Sequence, residues 1–163
     1  MNNNYVQTLL DDCKNELDNV KLIIDGLGVA SNIVPYLNKY AIIKACGIVE
    51  VSYKSLIADY CDRRSKPQIK NFLKKYVREN SKNPSYSNLC NLLKEFDDNW
   101  NTTFKNRIDS HPDKSRIITS IKSLVDARNE FAHGGNPTLT ISDVIGYFSD
   151  FRIVIEEIDN IVN

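Results

Sequence analysis

A guanidinium, a carboxamide and an imidazole fall within one short stretch of the chain, at Arg128, Asn129 and His133. If that stretch is helical, Asn129 and His133 are four residues apart and share one face. Arg128 lies roughly 140° further round an ideal helix, within reach of a long side chain. Gly134-Gly135 follows at once and Asn136-Pro137 after that, so His133 marks the C-terminal end of the helix, where the backbone partial charge is negative. A permanent cation, an amide and a titratable ring gathered at one helix end suit a phosphate better than any other common ligand. Each residue also has an ordinary reading. An arginine beside an apolar stripe can snorkel to water, and a histidine before two glycines can simply close the helix.

The elements that must position this cluster read as amphipathic helices. Six segments carry apolar residues at spacings of three and four. The first runs through Leu10, Cys13, Leu17, Val20, Ile24 and Leu27, and Asp25-Gly26-Leu27-Gly28 ends it. The second opens between Asn32 and Pro35 and carries the strongest periodicity, at Ile42, Cys46, Val49, Tyr53, Leu56 and Tyr60. Pro67 opens a third, with Ile69, Leu73, Tyr76 and Val77, and a fourth is expected to run unbroken through Leu89, Leu93, Phe96, Trp100 and Phe104. In the fifth, Ile117, Ile121 and Leu124 lead in phase to Arg128 and Phe131, so Arg128 is expected on the stripe that faces inward or faces a partner. Ser142 is the expected cap of a sixth, built on Ile145, Phe148, Phe151, Ile155, Ile158 and Val162. No segment alternates as a strand would. The expected fold is all-α, an up-and-down bundle of about five to six helices, with residues 1–163 forming a single domain.

Composition narrows the function. Hydrophobic residues make up 42% and charged residues 26%, an ordinary globular balance, and the formal net charge is zero. Nucleic acid would therefore be attracted by a local patch rather than by overall charge. Residues 63–82 provide one: Arg63, Arg64, Lys66, Lys70, Lys74, Lys75, Arg78 and Lys82 face only Glu79 in sequence, with Phe72 and Tyr76 interleaved. This is either a solvated face or a track for an RNA backbone. Cys13, Cys46, Cys61 and Cys90 form no close pair and read as free thiols of a reducing cytosol. With two histidines, no HxxxH and no carboxylate pair beside His133, neither a metal nor another cofactor is indicated. Met1–Tyr5 lacks the regions of a signal peptide, and no apolar run approaches bilayer length, so a cytoplasmic protein without a membrane segment is expected.

Arg128-Asn129-Glu130-Phe131-Ala132-His133, followed by glycine at the end of a core helix, resembles the signature of HEPN domains. Tyr40 to Glu50 is similar to the second helix of the RiboL-PSP-like branch and its relatives in bacterial conflict systems. The resemblance spans Leu10 to about Ile158. It implies a metal-independent endoribonuclease that dimerises so that two motifs line one cleft. His133 would be the acid/base, Arg128 would stabilise charge at phosphorus, and Asn129 would orient the imidazole or bind a phosphate oxygen. Glu50 matches a recurrent acidic position of that branch and could hold Arg128 in place, or it could pair with Lys54 one turn on. The expected partners are RNA, a second copy, and a cognate antitoxin or regulatory protein, as for a toxin or antiphage effector. The alternatives are a noncatalytic HEPN module that binds RNA or nucleotide or scaffolds a complex, and a helical antitoxin-type protein.

Overall fold

Residues 1–28 and 30–163 are described by a computed structural model. Val6, Leu10, Cys13, Leu17, Val20 and Ile24 form the buried face of α1 (Asn4–Leu27), whose N-terminus is capped by the Asn3 side chain. Gly28, at φ +79°, lets the chain leave the helix in a conformation that a side chain would oppose. The longest helix, α2 (Val34–Asp62), has Pro35 in its first turn and buries Ala41, Ile42, Ala45, Cys46, Val49, Tyr53, Leu56 and Ile57. A short α3 (Pro67–Leu73) runs straight into a π-helical turn over Lys74–Arg78, where Glu79 N–H donates to Lys74 O. Next come α4 (Tyr86–Phe96), α5 (Asp98–Asp109), α6 (Lys114–Ala132) and α7 (Ile141–Val162), which is seven α-helices and no strand among the described residues.

Cross-helix bonds fix the directions. Glu16 on α1 meets Lys44 on α2, Lys39 at the start of α2 meets Asn136 just past α6, and Ser120 on α6 meets Asp150 on α7. Asp11 on α1 meets Arg152 on α7. With Asn3 on Asp59, Cys46 on Leu124 and Asn2 on Asp159 as second points, α1 and α2, α2 and α6, and α1 and α7 run antiparallel, and α1, α2, α6 and α7 make an up-and-down bundle with α2 and α7 packed across its centre. The π turn and α3 lean on the C-terminal half of α2, and α4 and α5 cover α6 and α7. Tyr53, Phe104, Phe148 and Phe151 are the largest fully buried side chains, each contributing about 1.5–3 kcal/mol by leaving water.

Two expectations need correction. The fourth segment is two helices, because Asp97 is extended (φ −158°, ψ 119°) and its carboxylate accepts from Asn99 N–H at 2.7 Å and Trp100 N–H at 3.3 Å. The apolar phase continues across this break, which hides it from periodicity. The cap of the last helix is Thr140 rather than Ser142. Thr140 and Asp143 exchange side-chain-to-backbone bonds in a capping box, which satisfies two terminal donors instead of one.

Candidate functional site

Why α6 stops where it does decides how the cluster is presented. Gly134 adopts φ +85°, its N–H donates to Phe131 O at 3.0 Å, and Gly135 N–H donates to Glu130 O at 2.8 Å. This is a Schellman motif, and it fixes His133 as the capping residue, with its own N–H still bonded to Asn129 O. The tight closure excludes a side chain at Gly135, where a Cβ would lie 2.9 Å from Glu130 O and 2.5 Å from Glu130 Cγ. His133 thus stands at the tip of α6, exposed, on a backbone held from both sides.

Arg128 is half-buried one turn and a half earlier. The buried stripe of α6 runs through Ile117, Ser120, Ile121, Leu124, Val125 and Ala127, so the small Ala127 carries the core onward and Arg128 sits at its border. Phe131, expected on the same inward stripe, is 36% exposed. Arg128 Nη1 donates to Asn129 Oδ1 at 3.2 Å, and no carboxylate pairs with the guanidinium among the described residues. Across from it on α2, Cys46 Sγ donates to Leu124 O at 3.5 Å. Burial pushes the Cys46 thiol up to about 12, and the nearby Arg128 guanidinium opposes that only in part. Arg128 and Asn129 are therefore in contact. The His133 side chain makes no hydrogen bond to either among the described residues.

Glu50 does not hold Arg128. Its carboxylate accepts from the ammonium of Lys54 and from Lys82 N–H at 3.0 Å, while Lys54 also donates to Asn80 O. Lys54 is 4% exposed, and an ammonium so deep needs a counter-charge close by, which Glu50 on the next turn supplies. The pair anchors the segment between the π turn and α4.

The basic segment is gathered on and around α3, but less free than its sequence suggests. Arg78 meets Asp59 at 2.6 Å, Lys70 meets Asp62 at 3.4 Å, Lys74 meets Glu79 at 3.7 Å and Lys82 meets Glu95 at 3.3 Å. Arg63 reaches the Asn163 carboxamide at 2.7 Å, and its guanidinium carbon lies 5.8 Å from the Tyr60 ring centroid. Apart from Glu79, the acids come from α2 and α4, which a linear reading of residues 63–82 leaves out. Arg64, Lys66 and Lys75 have no carboxylate partner among the described residues.

One feature of this end of the bundle escaped sequence reasoning. Tyr36, Tyr40 and Ile43 form a second, exposed stripe on α2 opposite its buried one, and with Lys39 and Phe131 they line a shallow groove of about 410 Å³. The Lys39 ammonium lies 5.7 Å from the Tyr36 ring centroid and 5.6 Å from that of Phe131. The signal was the spacing of Tyr36, Tyr40 and Ile43, obscured by the stronger stripe on the other side of the helix.

The profile of the RiboL-PSP-HEPN family matches residues 8–163, nearly the whole chain. The chain belongs to the RiboL-PSP-HEPN family. No curated protein and no solved structure matches it. The HEPN motif Arg128-Asn129-x-x-x-His133 occupies the end of α6, and no group of three or more His, Cys, Asp or Glu side chains placed to hold a metal occurs among the described residues. No helix among them is long and apolar enough to cross a membrane.

Proposed function

We propose that this HEPN chain is a metal-independent endoribonuclease that works as a homodimer. The observation that carries the reading is the display of His133 at the Schellman-closed tip of α6, with Asn129 one turn below and, bonded to it, the Arg128 guanidinium, which meets no carboxylate among the described residues. RNA supplies its own nucleophile. The ribose 2′-oxygen bonds to the adjacent phosphorus as its proton leaves to a base, the P–O5′ bond breaks, and the 5′-oxygen takes a proton. The products are a 2′,3′-cyclic phosphate and a 5′-hydroxyl. Imidazole performs the proton transfers, and a bidentate guanidinium stabilises the dianionic phosphorane.

Removing one proton and delivering another calls for two groups in opposite protonation states, and each copy has one imidazole in its motif. A second copy supplies the other. The exposed groove of Tyr36, Tyr40, Ile43 and Phe131 reaches the last turn of α6, which His133 caps, and offers apolar surface for such an association to bury. Tyr40→Asp is expected to yield monomer in light scattering and to lose cleavage with it. Arg64, Lys66 and Lys75, with Arg63, Lys70, Lys74 and Arg78 around them, would track the RNA backbone, and Glu50 supports the fold beside them.

The cellular role proposed is that of a toxin or antiphage effector restrained by a cognate partner and acting in the cytoplasm. Induced expression is expected to arrest growth, and His133→Ala to relieve the arrest. Arrest that persists with a stably expressed His133→Ala protein would refute the nuclease as its cause.

A further inference from the structure

The helix formed by α3 and the π turn is fastened by little: Leu73 and Val77 are its buried side chains, and Arg78 ties its end to Asp59. Its outer face is aromatic. Phe72 is 54% exposed and Tyr76 55%, with ring centroids 4.8 Å apart and planes inclined by 33°, and Ile69 continues the same face one turn earlier. The Lys75 ammonium lies 5.4 Å from the Tyr76 centroid. Exposed Arg64 and Lys66 precede the helix, and Lys70 and Lys74 on it make only long, exposed ion pairs, which add little and are readily exchanged for phosphate.

We infer that Phe72 and Tyr76 form a stacking platform for the bases of single-stranded RNA, separate from the Arg128–His133 cluster. Two exposed rings could serve an apolar protein partner, but Lys75 at the Tyr76 ring and the further cations on and just before the same helix disfavour a dry interface and complement a polyanion that carries flat rings. Bases in a duplex are already stacked and paired, whereas an unpaired base offers a π face to each aromatic ring. Both rings remain more than half exposed, which leaves aromatic surface for a base. The i,i+4 spacing of both pairs, carried across the junction of α3 with the π turn, keeps Leu73 and Val77 on the core and Phe72 and Tyr76 together outside. The platform rests on RNA being the ligand of this HEPN chain, and it narrows that ligand to single strands.

The test is binding, so that it stands apart from cleavage. Full-length protein carrying His133→Ala, which keeps the RNA intact, is titrated against fluorescently labelled oligouridine, oligoadenine and a duplex RNA, with anisotropy as the readout. Adding Phe72→Ala and Tyr76→Ala is expected to weaken single-strand binding by about tenfold or more, because each base loses its stacking partner, and to leave duplex binding unchanged. The exchanged pair Phe72→Tyr and Tyr76→Phe keeps both π faces and is expected to bind like its parent. Unchanged single-strand affinity in the alanine pair, with helical circular dichroism intact, would overturn the proposal and assign the rings to a protein partner. Equal loss for single strand and duplex would overturn the single-strand preference. Ring-dependent binding by a wild type that cleaves nothing would keep the platform and refute the ribonuclease, while cleavage with ring-independent binding would do the reverse.

Discussion

Replacing Glu50 by alanine strands the ammonium of Lys54 in the interior, with Asn80 O as its remaining partner. It also frees Lys82 N–H, which Glu50 accepts at 3.0 Å. Breaking a buried pair by deleting one partner costs about 3–5 kcal/mol, because the surviving charge keeps its desolvation penalty without its counter-charge. The Lys54 side chain is 5% exposed, so the stranded charge keeps most of its penalty, but that of Glu50 is 17% exposed, and water entering its vacated place brings the cost to the lower part of the range. For a chain of this size, about 3 kcal/mol corresponds to a fall in Tm of roughly 6–12 °C. Thermal unfolding followed by helical circular dichroism measures it. Glu50→Leu with Lys54→Met removes both charges while keeping volume, and is expected to recover most of the loss. An unchanged Tm in Glu50→Ala, accompanied by loss of RNA cleavage, would refute this reasoning and return Glu50 to Arg128.

Other outcomes follow from the same geometry. Gly134→Ala places a Cβ at φ +85° and is expected to cost about 1–2 kcal/mol; rescue of any lost cleavage by Gly134→Asn, which tolerates this region better, would show that the cap presents His133. Cys13 and Cys46, pushed up to about 12 by burial, remain protonated thiols at neutral and mildly alkaline pH, so iodoacetamide followed by peptide mass mapping is expected to label the half-buried Cys61 first. Labelling of Cys46 ahead of Cys61 in the folded protein would contradict the packing of α2 against α6.

The helices were legible because burial requires it. Stripes such as Leu10, Cys13, Leu17 and Ile42, Cys46, Val49 are the faces that the bundle hides, and Gly28 and Gly134 stop helices where a left-handed residue is needed. The break at Asp97 was not legible, since a side-chain cap can interrupt the backbone without disturbing apolar phase. The π turn left no trace in periodicity either. Around the motif, sequence placed Arg128, Asn129 and His133 on one helix end, but the neighbours that define their surroundings come from elsewhere in the chain. Glu50 could go to either of two cations, and only the depth of Lys54 decides. The basic run of residues 63–82 looked free because Asp59, Asp62 and Glu95, which neutralise part of it, lie outside that window.

Cleavage of a mixed RNA pool in excess EDTA by purified wild type, Arg128→Ala and His133→Ala tests the central claim most directly. Fragments ending in 2′,3′-cyclic phosphate from the wild type, and none from either folded variant, are the predicted result. Cleavage that His133→Ala retains, or a folded wild-type dimer that leaves every RNA intact, would contradict it.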